Sequence, residues 1–214
     1  MTRPKGSGGK AKALTRDEIR RVDKCLTGTI HEQRDRLLLY LGLGSGMRIG
    51  ELVQLTVGDV APYGKVLDEV VLTKQITKEG RSRRVYLTPQ AVGMLKSYLE
   101  HLKTIPRIKR RIKAEKTDGA CPLWVPLFWS KKKPLQALSA NSGAKVLTRV
   151  FKQAAVAGAS SHSLRRTHAN ALRRAGVDLK VIQEQLGHSS LAITERYFEV
   201  DPLEKRAAMA RLRF

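Results

Sequence analysis

Acidic residues are scarce in this 214-residue sequence: 19 Asp and Glu stand against 41 Lys and Arg, a formal net charge of +22. A surplus of that size points to a polyanionic partner, nucleic acid first and an acidic membrane surface second. Cysteine is almost absent. Cys25 and Cys121 are the only two, and neither sits in a CxxC pair, which argues against a disulfide framework or a zinc finger. They read as reduced thiols of a cytoplasmic protein. Aromatic residues make up 5% of the chain, too few for a surface built mainly on base stacking. Long apolar runs are also missing. The longest, residues 37–43, contains Tyr40 and Gly42 and is far shorter than a membrane span. The polar N-terminus has no apolar segment of the signal-peptide kind, and no internal repeat is visible. What remains is a chain with 42% hydrophobic residues, enough at this length to bury a core in one large domain or two small ones.

The pattern along the chain is mostly helical. Residues 1–13 read as a basic, flexible tail carrying Arg3, Lys5, Lys10 and Lys12 and no acid. Thr15 with Glu18 forms a capping box that opens a helix to about residue 26. A second helix over 32–43 carries Leu37, Leu38, Leu39 and Leu41 and looks buried nearly all round. A third, short helix starts near Arg48. The period then changes to that of strands over 69–73 and 83–87, joined by a basic loop, which predicts a β-hairpin. Thr88-Pro89 opens another helix to about 102. The block 103–116 holds seven Lys or Arg against one Glu; it is compatible with a helix but has no clear ends. Residues 126–129 fit a third strand or a buried turn. Helical patterns resume over 141–156, 161–175, 178–186, 190–197 and 202–211. The expected fold class is mainly α with a small antiparallel β-sheet (α+β). Residues 14–214 are expected to form one domain that includes a C-terminal helix.

The candidate chemistry is concentrated in the last third. His162 and Arg165 are three apart and share a helix face. His188 follows Gly187 at a helix end, and Tyr197 lies nine residues further on. Upstream, Arg48 follows the cluster Gly44-Ser45-Gly46, and Lys74 and Lys78 sit in the hairpin loop. These residue types suit attack on a phosphodiester. Guanidinium groups match the non-bridging oxygens of a pentavalent phosphorus and keep their charge. Histidine moves protons near neutral pH, and a lysine among other cations can protonate a leaving oxygen. A tyrosine becomes a nucleophile when cations stabilise its phenolate. No metal-binding motif such as HExxH is present, so neither a metal nor a cofactor is expected.

These residues are similar to the catalytic domain of the tyrosine recombinase (phage integrase-type) family. His162-Ser163-Leu164-Arg165-Arg166-Thr167 resembles its HxxR box, and Leu186-Gly187-His188-Ser189-Ser190 with Thr194 and Tyr197 resembles its ending. Gly46-Met47-Arg48-Ile49-Gly50-Glu51-Leu52 resembles its first arginine box. The resemblance covers roughly residues 14–197. It implies the DNA breaking-rejoining fold, with Tyr197 attacking a DNA phosphate to form a 3′-phosphotyrosine link. It also implies that Arg48 and Arg165 hold the phosphate, His188 hydrogen-bonds to it, His162 manages the tyrosine proton, and Glu51 supports the site from behind. A hairpin lysine would protonate the 5′-oxygen. Lys78 occupies that slot, with Lys74 as the alternative, because Glu79 stands where the family usually has Gly. A second departure is Ser163, where an acid is frequent; it bears on loop packing.

The remaining basic residues divide between solvated charge and contacts to the DNA backbone. Arg81, Arg83, Lys109, Arg110, Arg111, Lys131, Lys132 and Lys133 are candidates for such contacts. Arg166, Arg173 and Arg174 are read as solvated or backbone-contacting, and His31, His101 and His168 as structural. Relatives of this kind usually carry an N-terminal DNA-clamping domain, for which the residues ahead of Thr15 leave no room. Met1 and the polar tail suggest a naturally short, single-domain member, with a fragment as the alternative. Expected partners are double-stranded DNA and further copies of the chain, as a tetramer on DNA, with an accessory DNA-bending protein as a further candidate and no membrane. The expected setting is prokaryotic cytoplasm, at the nucleoid, in a plasmid or phage context. Two other readings compete: a type IB topoisomerase-like nicking-closing enzyme, and a non-enzymatic DNA-binding or architectural protein.

Overall fold

A computed structural model describes residues 11–77, 80–130, 135–198, 206 and 209–211. The expected C-terminal helix over 202–211 and the first ten residues of the tail lie almost wholly outside this range. The last part of the expected tail is tied down. The Ala11 carbonyl accepts from Arg166, Lys12 Nζ pairs with Glu18 at 2.6 Å, and the Leu14 amide donates to Thr167 Oγ1. Arg166, read from the sequence as solvated or backbone-contacting, is therefore buried and straps residue 11 to α8.

The first helix, α1 (Arg16–Leu26), begins at the capping box, with Thr15 and Glu18 bonded reciprocally. The second, α2 (Glu32–Ser45), is the central rod. Leu37, Leu38, Leu39 and Leu41 are fully buried, and each contributes about 1.5–3 kcal/mol of transfer free energy. Next come α3 (Ile49–Leu52) and α4 (Val57–Val60). The sequence pattern missed α4 because four residues carry no readable period; its signal is local, in Asp59 accepting from the Thr56 amide and hydroxyl.

Strands β1 (Glu69–Leu72) and β2 (Arg83–Tyr86) pair antiparallel, with Glu69 opposite Tyr86 and Leu72 opposite Arg83. Val70 and Val85 face the core together, while Arg84 and Tyr86 face out, as the two-residue period requires. The long helix α5 (Pro89–Thr104) starts from the Thr88 cap with Pro89 in its first turn. The basic block becomes a separate helix, α6 (Pro106–Glu115), which Pro106 opens and left-handed Lys116 ends. Residues 126–129 form no third strand. They make isolated bridges, Thr56 to Pro126 and Trp129 to Ala137, around a buried Leu127 and Phe128. Then follow α7 (Ala140–Gln153), α8 (Ser161–Arg174), α9 (Leu179–Leu186) and α10 (Leu191–Glu195). Ser163 completes a capping box at the start of α8, its hydroxyl accepting from the Ser160 amide.

Two apolar clusters result. The larger joins α1 to α7 and the hairpin to Leu164 of α8. The smaller gathers Ala169, Ile182 and Leu186 with Val177, Tyr197 and Phe198. Arg165 lies one residue beyond Leu164, at the seam between them. Among the described residues no helix is long and apolar enough to cross a membrane.

Candidate active site

Two helix ends build the seam. Helix α2 stops at Gly46, whose φ of +67° is left-handed, and α9 stops at Gly187, with φ of +64°. Each turn leaves backbone carbonyls at the electronegative end of a helix. Arg165, only 3% exposed, spans both: one terminal nitrogen donates to the Gly46 carbonyl at 2.8 Å and the other to the Leu186 carbonyl at 2.6 Å. The Tyr197 side chain lies close enough to favour the charged form of Arg165. Neutral acceptors hold this guanidinium in place without cancelling its charge. Burial, and next the Arg48 charge, push its pKa down to about 10, so it stays protonated at neutral pH.

Arg48 leaves the α2 turn in extended conformation and caps α3. It donates to Glu51 Oε1 at 3.2 Å and to the Gly187 carbonyl at 3.3 Å, while its own amide donates to Glu51 Oε2 at 2.8 Å. Glu51 is buried. Burial raises its pKa, but the bonds from Arg83 and Arg48 outweigh this and hold it below the usual carboxylate range. Two guanidiniums, of Arg48 and Arg83, thus share one carboxylate.

His188 follows Gly187 and is buried, with Nδ1 2.8 Å from the Thr194 hydroxyl. Its backbone is clamped by Gln183, which donates from its side chain to the His188 carbonyl and accepts the His188 amide on its own carbonyl. Burial first, then Arg165, Arg48 and Arg83, push the imidazole pKa down to about 3. His188 is therefore a neutral hydrogen-bonding group at physiological pH. Tyr197 lies in the turn after α10, half-exposed, with its ring 5.0 Å from that of His188. The sequence pattern carries this helix through Tyr197; it ends at Glu195, and the tyrosine sits in the turn that follows, its amide donating to the Thr194 carbonyl at 3.0 Å.

Of the expected residues, Arg48, Glu51, Arg165, His188 and Tyr197 converge here. His162 is exposed in the first turn of α8, and among the described residues its ring makes no hydrogen bond. Lys78 lies outside the described residues, and so do Lys131, Lys132 and Lys133. Lys74 lies in the hairpin turn and Arg81 is exposed on it. Lys109, Arg110 and Arg111 are exposed on α6, with Arg111 over the Trp124 ring at 5.6 Å. Arg83, another of the expected DNA contacts, lines the cleft beside His188. It turns inward, its side chain 13% exposed, and grips Glu51 with both terminal nitrogens at 2.9 and 2.7 Å. A signal for this was present: on β2 it shares the face of buried Val85. His168 keeps its structural reading, with Nδ1 2.8 Å from the Leu43 carbonyl beside Gly46.

The sequence reading also missed Gln185. Its side chain pairs with the free edge of β2, accepting the Tyr86 amide at 3.1 Å and donating to the Tyr86 carbonyl at 2.8 Å. It donates to the Ser45 carbonyl as well, at 3.1 Å. No sequence pattern marks such a three-way bond. A cleft of about 630 Å³ opens beside it, lined by Arg81, Arg84, Lys180 and Ser189 and reaching His188. Among the described residues no group of His, Cys, Asp or Glu could hold a metal ion.

The chain belongs to the phage integrase family, whose sequence profile matches residues 12–204. Among curated proteins it is 28% identical over 200 residues to tyrosine recombinase XerA of Pyrococcus furiosus, covering 94% of this chain and 61% of that protein. It is 33% identical over 171 residues to tyrosine recombinase XerC of Thermodesulfovibrio yellowstonii, covering 79% and 51%. The chain thus spans roughly half to two thirds of the length of these relatives. Among solved structures, a XerA recombinase crystal structure superposes with a TM-score of 0.71 at 22% identity, covering 94% of this chain and 66% of that one. A XerH site-specific recombinase, crystallised with palindromic difH substrate as a post-cleavage complex, superposes at 0.68 with 24% identity, covering 96% and 54%. The fold is therefore that of tyrosine recombinase catalytic domains.

Proposed function

We propose that the protein is a site-specific DNA recombinase that cleaves and rejoins strands through a covalent 3′-phosphotyrosine intermediate. The observation that carries this reading is the convergence of Tyr197 on His188, with ring centroids 5.0 Å apart, beside a buried Arg165 held by two backbone carbonyls. In the proposed step, Tyr197 Oη attacks phosphorus as the bond from phosphorus to O5′ breaks. Arg48 and Arg165 neutralise the added charge on the non-bridging oxygens. His188, its Nδ1 bonded to the Thr194 hydroxyl, turns Nε2 to the phosphate as a hydrogen-bond donor in this reading. His162 takes the tyrosine proton, and Lys78, or Lys74 in its place, supplies one to O5′. The phosphodiester's energy stays in the link, so a 5′-hydroxyl from another strand can reseal it.

Double-stranded DNA is the proposed substrate, held by a tetramer of this chain. Arg81, Lys109, Arg110, Arg111 and Lys131–Lys133 supply backbone contacts that position the protein without reading sequence. Helix α5 has 16 residues, so its far end, where α6 begins, lies about 24 Å along its axis from the Thr88 end that abuts Gly44. This separation supports a role for the α6 charges on DNA that flanks the cleaved site. The test uses a pool of nicked suicide duplexes randomised across the central region. Wild-type protein should yield an SDS-resistant protein–DNA adduct that Tyr197→Phe abolishes. No adduct from wild type would sink the reading.

A further inference from the structure

Glu51 is shared symmetrically. Its Oε1 accepts from Arg48 at 3.2 Å and from Arg83 at 2.9 Å; its Oε2 accepts from the Arg48 amide at 2.8 Å and from Arg83 at 2.7 Å. One carboxylate with four donors is saturated. Without Arg83, Glu51 would lose two of these four donors and keep the two from Arg48. Arg83 therefore does two things. It fixes the plane of Glu51, which fixes Arg48, and it brings a second positive charge to that carboxylate.

The rest of the Arg83 side chain faces Gly187. A Cβ at Gly187 would lie 2.6 Å from Arg83 Cδ and Nε and 2.8 Å from Cζ. The backbone that carries His188 thus rests directly on the guanidinium, and the Gly187 carbonyl in turn accepts from Arg48. Arg83 Nε is buried with no hydrogen-bond partner. Leaving a buried donor unpaired costs about 1–3 kcal/mol. A residue chosen for stability alone would not be expected to carry that penalty, whereas a fork needed at both Glu51 oxygens explains it. Lysine could reach only one oxygen at a time.

We infer that Arg83 is a positioning residue for phosphate activation, orienting Arg48 through Glu51 and His188 through Gly187. This rests on the strand-cleavage reading above. It differs from a DNA contact, because both terminal nitrogens of Arg83 are engaged by Glu51. It differs from a packing strut, because its effect should depend on the negative charge of the scissile group. The docking of β2 on α9 does not rest on Arg83 alone, since the Gln185 amide holds Tyr86 independently.

The experiment compares two versions of the duplex enriched from the randomised suicide pool: one with the native scissile phosphate, and one with a neutral methylphosphonate at that position. Adduct formation is followed under single turnover at saturating protein, and DNA affinity is measured separately. On the phosphate duplex, Arg83→Met should slow adduct formation by about 30-fold or more, with affinity within about threefold of wild type. On the methylphosphonate duplex, its rate relative to wild type should recover to within about threefold, since there is less charge to neutralise. Arg83→Lys keeps the charge without the fork. It should be slowed about tenfold on phosphate and hardly at all on methylphosphonate, and it carries the test if Arg83→Met does not fold. Equal losses on both duplexes would reduce Arg83 to a strut and overturn the proposal. A loss of affinity with an unchanged saturated rate would make it a DNA contact and also overturn it. Wild type with no adduct on either duplex would remove the strand-cleavage reading, and this role with it.

Discussion

Two regions of this molecule hold arginine in quantity and use it in opposite ways. In the seam between α2 and α9, Arg48, Arg83 and Arg165 are partly or wholly withdrawn from water and fixed by Glu51 and by the carbonyls of Gly46, Leu186 and Gly187. On α6, Lys109, Arg110 and Arg111 stand in solvent while Ile108 alone is buried beneath them. The buried set is oriented in advance and lies in a medium where each charge acts strongly; the exposed set is mobile and screened by salt. The first is suited to one phosphate in one geometry, the second to any stretch of backbone. Net charge alone cannot distinguish these uses; the hydrogen-bond partners can.

The sharpest way to break the contrast is to remove one buried guanidinium. Arg165→Ala should lower the single-turnover rate of adduct formation by about 10³-fold, with a much smaller change in affinity. A change confined to affinity would place Arg165 with the exposed set.

Stability should divide the regions next. Glu51→Gln leaves two arginines facing a neutral amide, and urea unfolding should show a loss of about 3 kcal/mol. Equivalent removal of Glu115, an exposed acid on α6, should stay within about 0.5 kcal/mol. Similar losses at both positions would contradict the distinction.

Acid should then act on the seam in two windows. The folded pKa of His188 is about 3, below its unfolded value near 6.5, so the unfolded chain binds the proton first. The stability from neutral His188 is full above pH 6.5 and falls as pH drops from there towards 3. Glu51, with its pKa lowered, contributes stability above its ordinary value near 4.5 and loses it only as pH falls through the lower folded pKa. A melting temperature that begins to fall below pH 6.5 in wild type, and much less in His188→Asn, is the expected result. Identical profiles would deny His188 its buried, neutral state.

The smallest effect belongs to α6. Changing Lys109, Arg110 and Arg111 together to Gln should leave folding and the saturated cleavage rate nearly unchanged. The slope of log affinity against log salt should flatten by up to about 3, near 0.9 for each phosphate no longer neutralised. An unchanged slope would remove α6 from the DNA interface.

Much of the fold is legible in the sequence where one residue type and one period carry the information. The capping box of Thr15 and Glu18, the all-round burial of α2 and the alternation of the hairpin are local rules, and each matches the structure. The convergence of Arg48, Arg165, His188 and Tyr197 is legible only through resemblance, because they meet across as many as 149 residues of sequence. What escapes is set by tertiary structure. Arg83 looks like one more basic residue of a basic loop until Glu51 lies opposite it. Gln185 acquires its role from the Tyr86 and Ser45 backbone, which no spacing encodes. Arg166 takes its place from the Ala11 carbonyl, supplied from 155 residues away.

The central claim is that the seam delivers one tyrosine to one phosphate, and mass spectrometry of the trapped adduct tests it most directly. After nuclease and trypsin digestion, the account predicts a nucleotide on the peptide that begins at Tyr197, joined through the DNA 3′-phosphate, with a free 5′-hydroxyl on the released strand. A nucleotide on any other residue, or a link through the 5′-phosphate, would contradict it.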